Sequence, residues 1–409
     1  MGHGRIHHFR PGRRILLTVF ISTLFVKLLI KKVMKKFLFF ATTFAILLSG
    51  CTKSNVNDDV LDDGTPVPVR FSAVSMTSSV STKSTGAVGT IGNNNWNGQD
   101  LYIYGYDRAV SDFSTEPFIN NVKATAPNGT ASGEIDVLNA SVDPAEPFYY
   151  VAKNRYDFYG YHVDDAATGE PVREPSRVYV PFTINGAQDL LIAKADQQAD
   201  IDKVGASITE ENAYSAYAAR RDVHPTLKFQ HQLARFTFEI VAGSASGSKV
   251  NVDYITVDSK STGNLVVVGD ARGIADVTED VASFKLQEIN AEGNAQDLTS
   301  VKPEAYSLAR DNAKQIGESI MVIPGEAAYT LRIKTSQDGV STDIPAQEWQ
   351  IKIGNVVGAP EGAVAFEAGY SYKITIVIYG LEEVKITAEL EEWKEGGNAT
   401  LDEDDIPTE

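Results

Sequence analysis

A single thiol, Cys51, ends the segment Leu48-Ser49-Gly50-Cys51. Ahead of it lie the basic start Met34-Lys35-Lys36 and an apolar run from Phe37 to Leu48. A positive n-region, a short apolar core and small residues before the cut describe a secretory signal. The last four residues match the bacterial lipobox, so the chemistry expected at Cys51 is lipidation, with the cysteine becoming the diacylated first residue of the mature chain. As the only cysteine, Cys51 leaves no partner for a disulfide within the chain.

Other catalytic or ligating chemistry is hard to place. The nearest approach to a G-x-S-x-G nucleophile elbow, Gly243-Ser244-Ala245-Ser246-Gly247, has alanine where the serine belongs. No G-x-G-x-x-G or P-loop occurs. After Cys51 the histidines are His162, His224 and His231, with no H-x-x-x-H pair and no second thiolate, which argues against zinc. His231 shares the apolar face of its strand pattern, where a core histidine with one satisfied nitrogen is the expected role. A glycosidase pair needs two placed carboxylates, and no motif places one here. The tail Asp402-Glu403-Asp404-Asp405 lacks the glycine and spacing of a calcium loop. The sequence therefore predicts no enzyme, no metal and no cofactor.

Residues 1–50 carry nine Lys/Arg and no acid, which leaves 28 bases against 54 acids beyond them. A chain that acidic is a poor partner for nucleic acid, which needs a basic patch. A second apolar stretch, Ile15 to Ile30, is interrupted by Lys27 and is short for a ~30 Å hydrocarbon core. Translation is expected to start at Met34, with a membrane span as the other reading.

The elements that must carry any function read as strands. Residues 51–65 form a polar, acidic tether. Val67, Val69, Phe71 and Ala73 then alternate with polar or small partners, the period of a half-buried strand. Met76 to Asn95, rich in Ser, Thr, Gly and Asn, reads as a long exposed loop. Further strand patterns follow at Leu101–Tyr106, Phe148–Val151, Phe158–Val163, Val178–Phe182 and Leu190–Ala193. Residues 207–221 are the best helical candidate. Between Leu227 and Ile240 the apolar parity switches, which implies a bulge or crossover in one long strand. Later strands are expected at Val250–Val257, Leu265–Val268, Ser319–Ile323, Thr330–Ile333, Trp349–Ile353, Tyr372–Tyr379 and Val384–Leu390. Many short strands with little helix predict an all-β chain of two sandwiches, residues 66–223 and 224–395, followed by an acidic tail, 396–409.

Several segments, taken in order, resemble the fimbrillin family, the subunits of type V pili of Gram-negative anaerobes. They are the lipobox at Cys51, Trp96-Asn97-Gly98-Gln99-Asp100 running into Leu101-Tyr102-Ile103-Tyr104, Asp189-Leu190-Leu191-Ile192-Ala193, and Leu227-Lys228-Phe229-Gln230-His231-Gln232-Leu233-Ala234. Later come Ile323-Pro324, Ala368-Gly369-Tyr370-Ser371-Tyr372, and Ala388-Glu389-Leu390-Glu391-Glu392-Trp393. The resemblance implies two tandem transthyretin-like Greek-key sandwiches. It also implies an assembly route: export as an outer-membrane lipoprotein, cleavage by a trypsin-like protease in the loop after the first strand, and filling of the vacated groove by a C-terminal strand of the next pilus subunit.

Laid on this chain, that route makes Val67, Val69, Phe71 and Ala73 the leaving strand. Lys83, followed by Ser84, becomes the cleavage candidate, since it is the only basic residue in the loop. An ordinary loop lysine is the other reading of Lys83. The donor candidate is Val384, Ile386, Ala388 and Leu390, whose unbroken alternation suits β-augmentation; the same pattern suits a closing strand of its own sandwich. The alternative function is a permanently lipid-anchored surface protein that binds glycans or host ligands through aromatics such as Trp96 or Tyr159.

Overall fold

The computed structural model describes residues 65–75, 95–290, 292, 294–301, 313–340 and 345–391. Within them the chain is mostly β-strand, as the alternating pattern predicts, and falls into four principal sheets.

The largest sheet has seven strands, in the order Ile119–Thr125, Asp100–Asp107, Tyr156–His162, Leu191–Lys194, Thr226–His231, Phe71–Ser75 and Ser132–Ile135. It is apolar on both faces. One face carries Phe71, Ile103, Phe158 and Phe229 into an aromatic core with Trp96 and Tyr214. The other presents Tyr104, Tyr106, Tyr159 and Tyr161 to a second core that continues into the C-terminal half. Helical cover for the first face comes from Gln197–Val204, capped by the Asp196 side chain on the Ala199 amide and ended by Gly205 at a φ of 62°. The expected helix over 207–221 is instead a 3-10 turn, Glu210–Asn212, and one short turn, Ala216–Ala219. Caps outweighed composition there: Asp196 and Gly205 bracket eight residues, whereas Ser215 caps only four.

The long strand around residue 231 breaks where the parity switches. Thr226–His231 ends in the seven-stranded sheet, and after Gln232-Leu233 the chain resumes as Ala234–Ala242 in another. There it runs parallel to Ser371–Gly380, which forms a hairpin with Glu383–Glu391. Facing elements come from a four-stranded sheet of Val281–Lys285, Asn251–Lys260, Ala328–Ser336 and Gln347–Lys352. A further sheet joins chain segments on either side of residue 224, because Arg177–Thr183 pairs with Thr262–Val268. The apolar patterns expected at Phe148–Val151 did not become a strand; Tyr149 makes only an isolated bridge to Pro68.

Candidate assembly interface

The first strand is an interior strand. Phe71–Ser75 runs parallel to Thr226–His231 on one side, with Ala73 opposite Leu227, and antiparallel to Ser132–Ile135 on the other, with Ala73 opposite Gly133. Pro66 and Pro68 deny the preceding residues two backbone donors, so ladder pairing starts at Phe71. Val67 and Val69 are held instead against Phe148 and Tyr150: the Val69 amide donates to the Phe148 carbonyl at 2.7 Å and the Tyr150 amide to Val67 at 2.9 Å. Phe71, 2% exposed, packs edge-on against Phe158 with ring centres 5.0 Å apart. Ala73 is completely buried. Gly160 leaves room for the neighbouring Phe229 ring, which a Cβ there would meet at 2.8 Å.

The last strand is held differently. Glu383–Glu391 pairs along its whole length with Ser371–Gly380, and among the described residues its other edge meets only Val356–Val357, opposite Ala388 and Glu389. Val384, Ile386 and Leu390 are half-buried on the C-terminal core, and Ala388 is 7% exposed. Glu389 stands opposite Lys373, with the ammonium 2.5 Å from its carboxylate. In this chain, then, the donor candidate closes its own sheet. Cys51, Lys83 and Ser84 lie outside the described residues.

The aromatics named for ligand capture are inside. Trp96 is 1% exposed, edge-on to Phe229 at 5.3 Å, and Tyr159 is 4% exposed. Neither offers a face to a sugar, which corrects that expectation; the reason is that both faces of the seven-stranded sheet are covered.

His231 is a core histidine with a satisfied nitrogen, as the sequence predicts, but the buried polar cluster around it was not foreseen. His162 and His231 flank Leu191 on the two neighbouring strands. The His162 Nδ1–H donates to the Asp100 carbonyl at 2.8 Å, and Nε2 lies 3.1 Å from the Asp164 carboxylate. Burial alone would lower the His162 pKa, but the Asp164 carboxylate and the Asp100 carbonyl outweigh it and raise the pKa above the usual imidazole value. Asp164 in turn accepts the Asp189 amide at 3.0 Å, and Asp189 pairs with His231 Nδ1 at 2.8 Å. For His162 and Asp164 the signal was the spacing Tyr161-His162-Val163-Asp164. Two His–Asp pairs with every carboxylate engaged form a structural tie. Among the described residues no group of three or more His, Cys, Asp or Glu is placed to hold a metal ion.

Mostly β-strand, with its sheets packed over shared apolar cores, the chain is a β-sandwich protein. The chain belongs to the fimbrillin-like family, whose model matches residues 85–393. Its fold is similar to that of several solved proteins. A cell adhesion protein of Bacteroides uniformis is 16% identical, with 80% of this chain and 99% of that one covered at a TM-score of 0.45. A fimbrial protein of Bacteroides vulgatus is 12% identical over 80% and 99%, at 0.42. A fimbrilin of Porphyromonas gingivalis is 11% identical over 80% and 98%, at 0.40. Comparison with curated protein sequences finds no significant match.

Proposed function

We propose that this chain is a structural or adhesive subunit of a surface pilus, built as two transthyretin-like sandwiches, residues 66–223 and 224–395. It is exported as a lipoprotein through Cys51 and held in the outer membrane until a trypsin-like protease cuts between Lys83 and Ser84. The first strand then leaves with the lipid, and a strand of another pilus subunit replaces it.

One observation carries the reading. Phe71–Ser75 is paired on both edges and supplies buried side chains to the core, so its loss leaves an open, apolar slot in mid-sheet. A sheet with unpaired edges on both sides of a slot binds an extended segment through backbone bonds and alternate side chains. Three large aliphatics at ~1.5–3 kcal/mol each would contribute roughly 5–9 kcal/mol gross to filling it. The rival reading, an anchored binder of glycans, loses support because Trp96 and Tyr159 are enclosed.

The test is the mature N-terminus of protein sheared from the cell surface, read by mass spectrometry. The expected terminus is Ser84 without lipid. Diacylated Cys51 on all of the protein would sink the pilus-shaft reading and leave an anchored surface protein.

A further inference from the structure

The ribbon that leads into the first strand is apolar on both faces. Its inner face sends Val69 and Tyr150 into the N-terminal core, with Val67 and Phe148 packed beside them. A ribbon with one side in water should be polar on the outer face. Instead, Pro68 bridges Tyr149, and the same register sets Pro66 opposite Val151. Leu138 stands opposite Pro147, and alternation keeps Pro147, Tyr149 and Val151 on one side. Among the described residues ten large apolar side chains are exposed, and four of them, Leu138, Val142, Tyr149 and Val151, fall in this short stretch. Single exposed apolar residues need no explanation, whereas a contiguous group marks a contact surface.

We propose that this face, centred on Tyr149 and Val151, is the membrane-facing surface of the lipidated chain and rests in the headgroup region of the bilayer that holds Cys51. This rests on the lipoprotein part of the reading above and adds the surface that meets the lipid; it needs neither the cleavage nor the strand replacement. The chain enters the sandwich beside that face. The Arg220 guanidinium donates to the Thr65 carbonyl at 3.0 Å, immediately before Pro66. From Thr65 back to Cys51 is fourteen residues, a reach of at most ~50 Å whatever path they take. Contact by a face so tethered is intramolecular, so a small patch suffices that would not hold a free protein.

The face suits side-chain contact and not strand pairing. Pro66, Pro68 and Pro147 have no amide to offer. The amides beside them are already engaged, Val69 donating to Phe148 and Tyr150 to Val67. An apolar face with so few free backbone donors enters the headgroup region at little desolvation cost. Tyr149 suits that depth, since its ring can sink while its hydroxyl stays wet. Arg70 continues the parity of Pro66 and Pro68 and is exposed at the edge of the stripe, where a guanidinium can meet lipid phosphate. Of the hairpin's two acids, Glu146 stands opposite Asn139 on the other parity and Asp143 lies in the turn.

A chain held by one face as well as by its lipid has a fixed orientation on the membrane, which a polar tether alone does not impose. The other occupant such a face admits is a second copy of this chain, and labels placed on the face separate the two.

Site-directed labelling of the full lipidated chain tests this. Acylated protein, verified by mass, is placed in vesicles of phosphatidylethanolamine and phosphatidylglycerol that carry nitroxide lipids. Acylation blocks Cys51, the only natural thiol, so a single introduced cysteine carries the fluorophore. Quenching at Val142→Cys and at Val151→Cys is expected to exceed that at Val204→Cys and Val281→Cys by roughly threefold or more. The last two are exposed apolar sites on other elements. Equal quenching at all four would overturn the membrane face and leave the lipid anchor standing. A disulfide-linked dimer through unlabelled Val151→Cys, with no quenching at the labelled site, would give the face to a second copy and overturn the lipid as its occupant. A chain found without acyl groups would overturn the lipoprotein reading and this proposal together. Charge gives a second readout at exposed sites: Tyr149→Glu with Val151→Glu should abolish quenching at labelled Val142→Cys while leaving the denaturation midpoint in place. Quenching that survives that change would overturn the proposal.

Discussion

The two terminal strands share a residue pattern but sit in unlike surroundings. Phe71–Ser75 lies inside a sheet with partners on both edges that are distant in sequence, Thr226–His231 and Ser132–Ile135. Glu383–Glu391 folds onto the strand immediately before it, and among the described residues only Val356–Val357 pairs with its other edge. Similar side chains therefore contribute different amounts of stability. The first strand is integral to a core that cannot close without it. The last is a hairpin arm whose large aliphatics are half-buried and whose separation costs one long ladder and a two-residue one.

Truncation should expose this contrast most strongly. Phe71→Ala in the uncleaved protein removes a ring that is 2% exposed and edge-on to Phe158. Loss of the side chain and the cavity left behind should cost about 3–5 kcal/mol. Ile386→Ala, at a half-buried site on the hairpin arm, should cost about 1–2 kcal/mol, since less of its surface leaves water on folding. Chemical denaturation of both variants measures the difference. Equal losses would show that the last strand is as integral to its core as the first.

The sequence carried the last strand more plainly than the slot around the first. Val384, Ile386, Ala388 and Leu390 alternate without interruption beside the Tyr372–Tyr379 run, and a hairpin needs only local pairing, so pattern and fold agree. The parity switch after Leu233 likewise marked the passage from one sheet to the next. The wall of the slot formed by Ser132–Ile135 was missed because Ser-Gly-Glu-Ile offers one apolar residue in four, and its pairing with Phe71–Ser75 is long-range. Periodicity reports which residues face a core, and it is silent on which strand lies next to which. For the same reason the burial of Trp96 was illegible: its exposure depends on Phe229, far along the chain.

Protonation should distinguish the two regions next. His162 ties the end of the seven-stranded sheet to Asp164, and its pKa is raised above the ordinary imidazole value of 6.5. A group whose folded pKa lies above its unfolded one contributes stability that is full below the unfolded value and is lost as pH rises through the folded value. Unfolding free energy of the wild type should therefore decline above pH 6.5 as His162 loses its proton. His162→Gln should remove that decline along with the stability present at lower pH. Histidine proton NMR of the folded chain, read against the stability profile, checks both points.

The smallest effect belongs to the C-terminal region, at Glu318. Burial raises its pKa from 4.5 to about 7, and its Oε2 has no hydrogen-bond partner. No cation offsets that burial, unlike the carboxylates around His162. Here the folded state prefers the proton, so stability is greatest below pH 4.5, falls as pH rises towards 7 and levels off above. The side chain is partly exposed, so solvent screens much of the penalty and the slope is shallow. Glu318→Gln keeps the shape without the charge and should flatten the profile between pH 4.5 and 7 while leaving the His162 decline above 6.5 in place. If both slopes vanished together, the two regions would share one titration, and the contrast between a tied N-terminal sheet and a looser C-terminal one would fail.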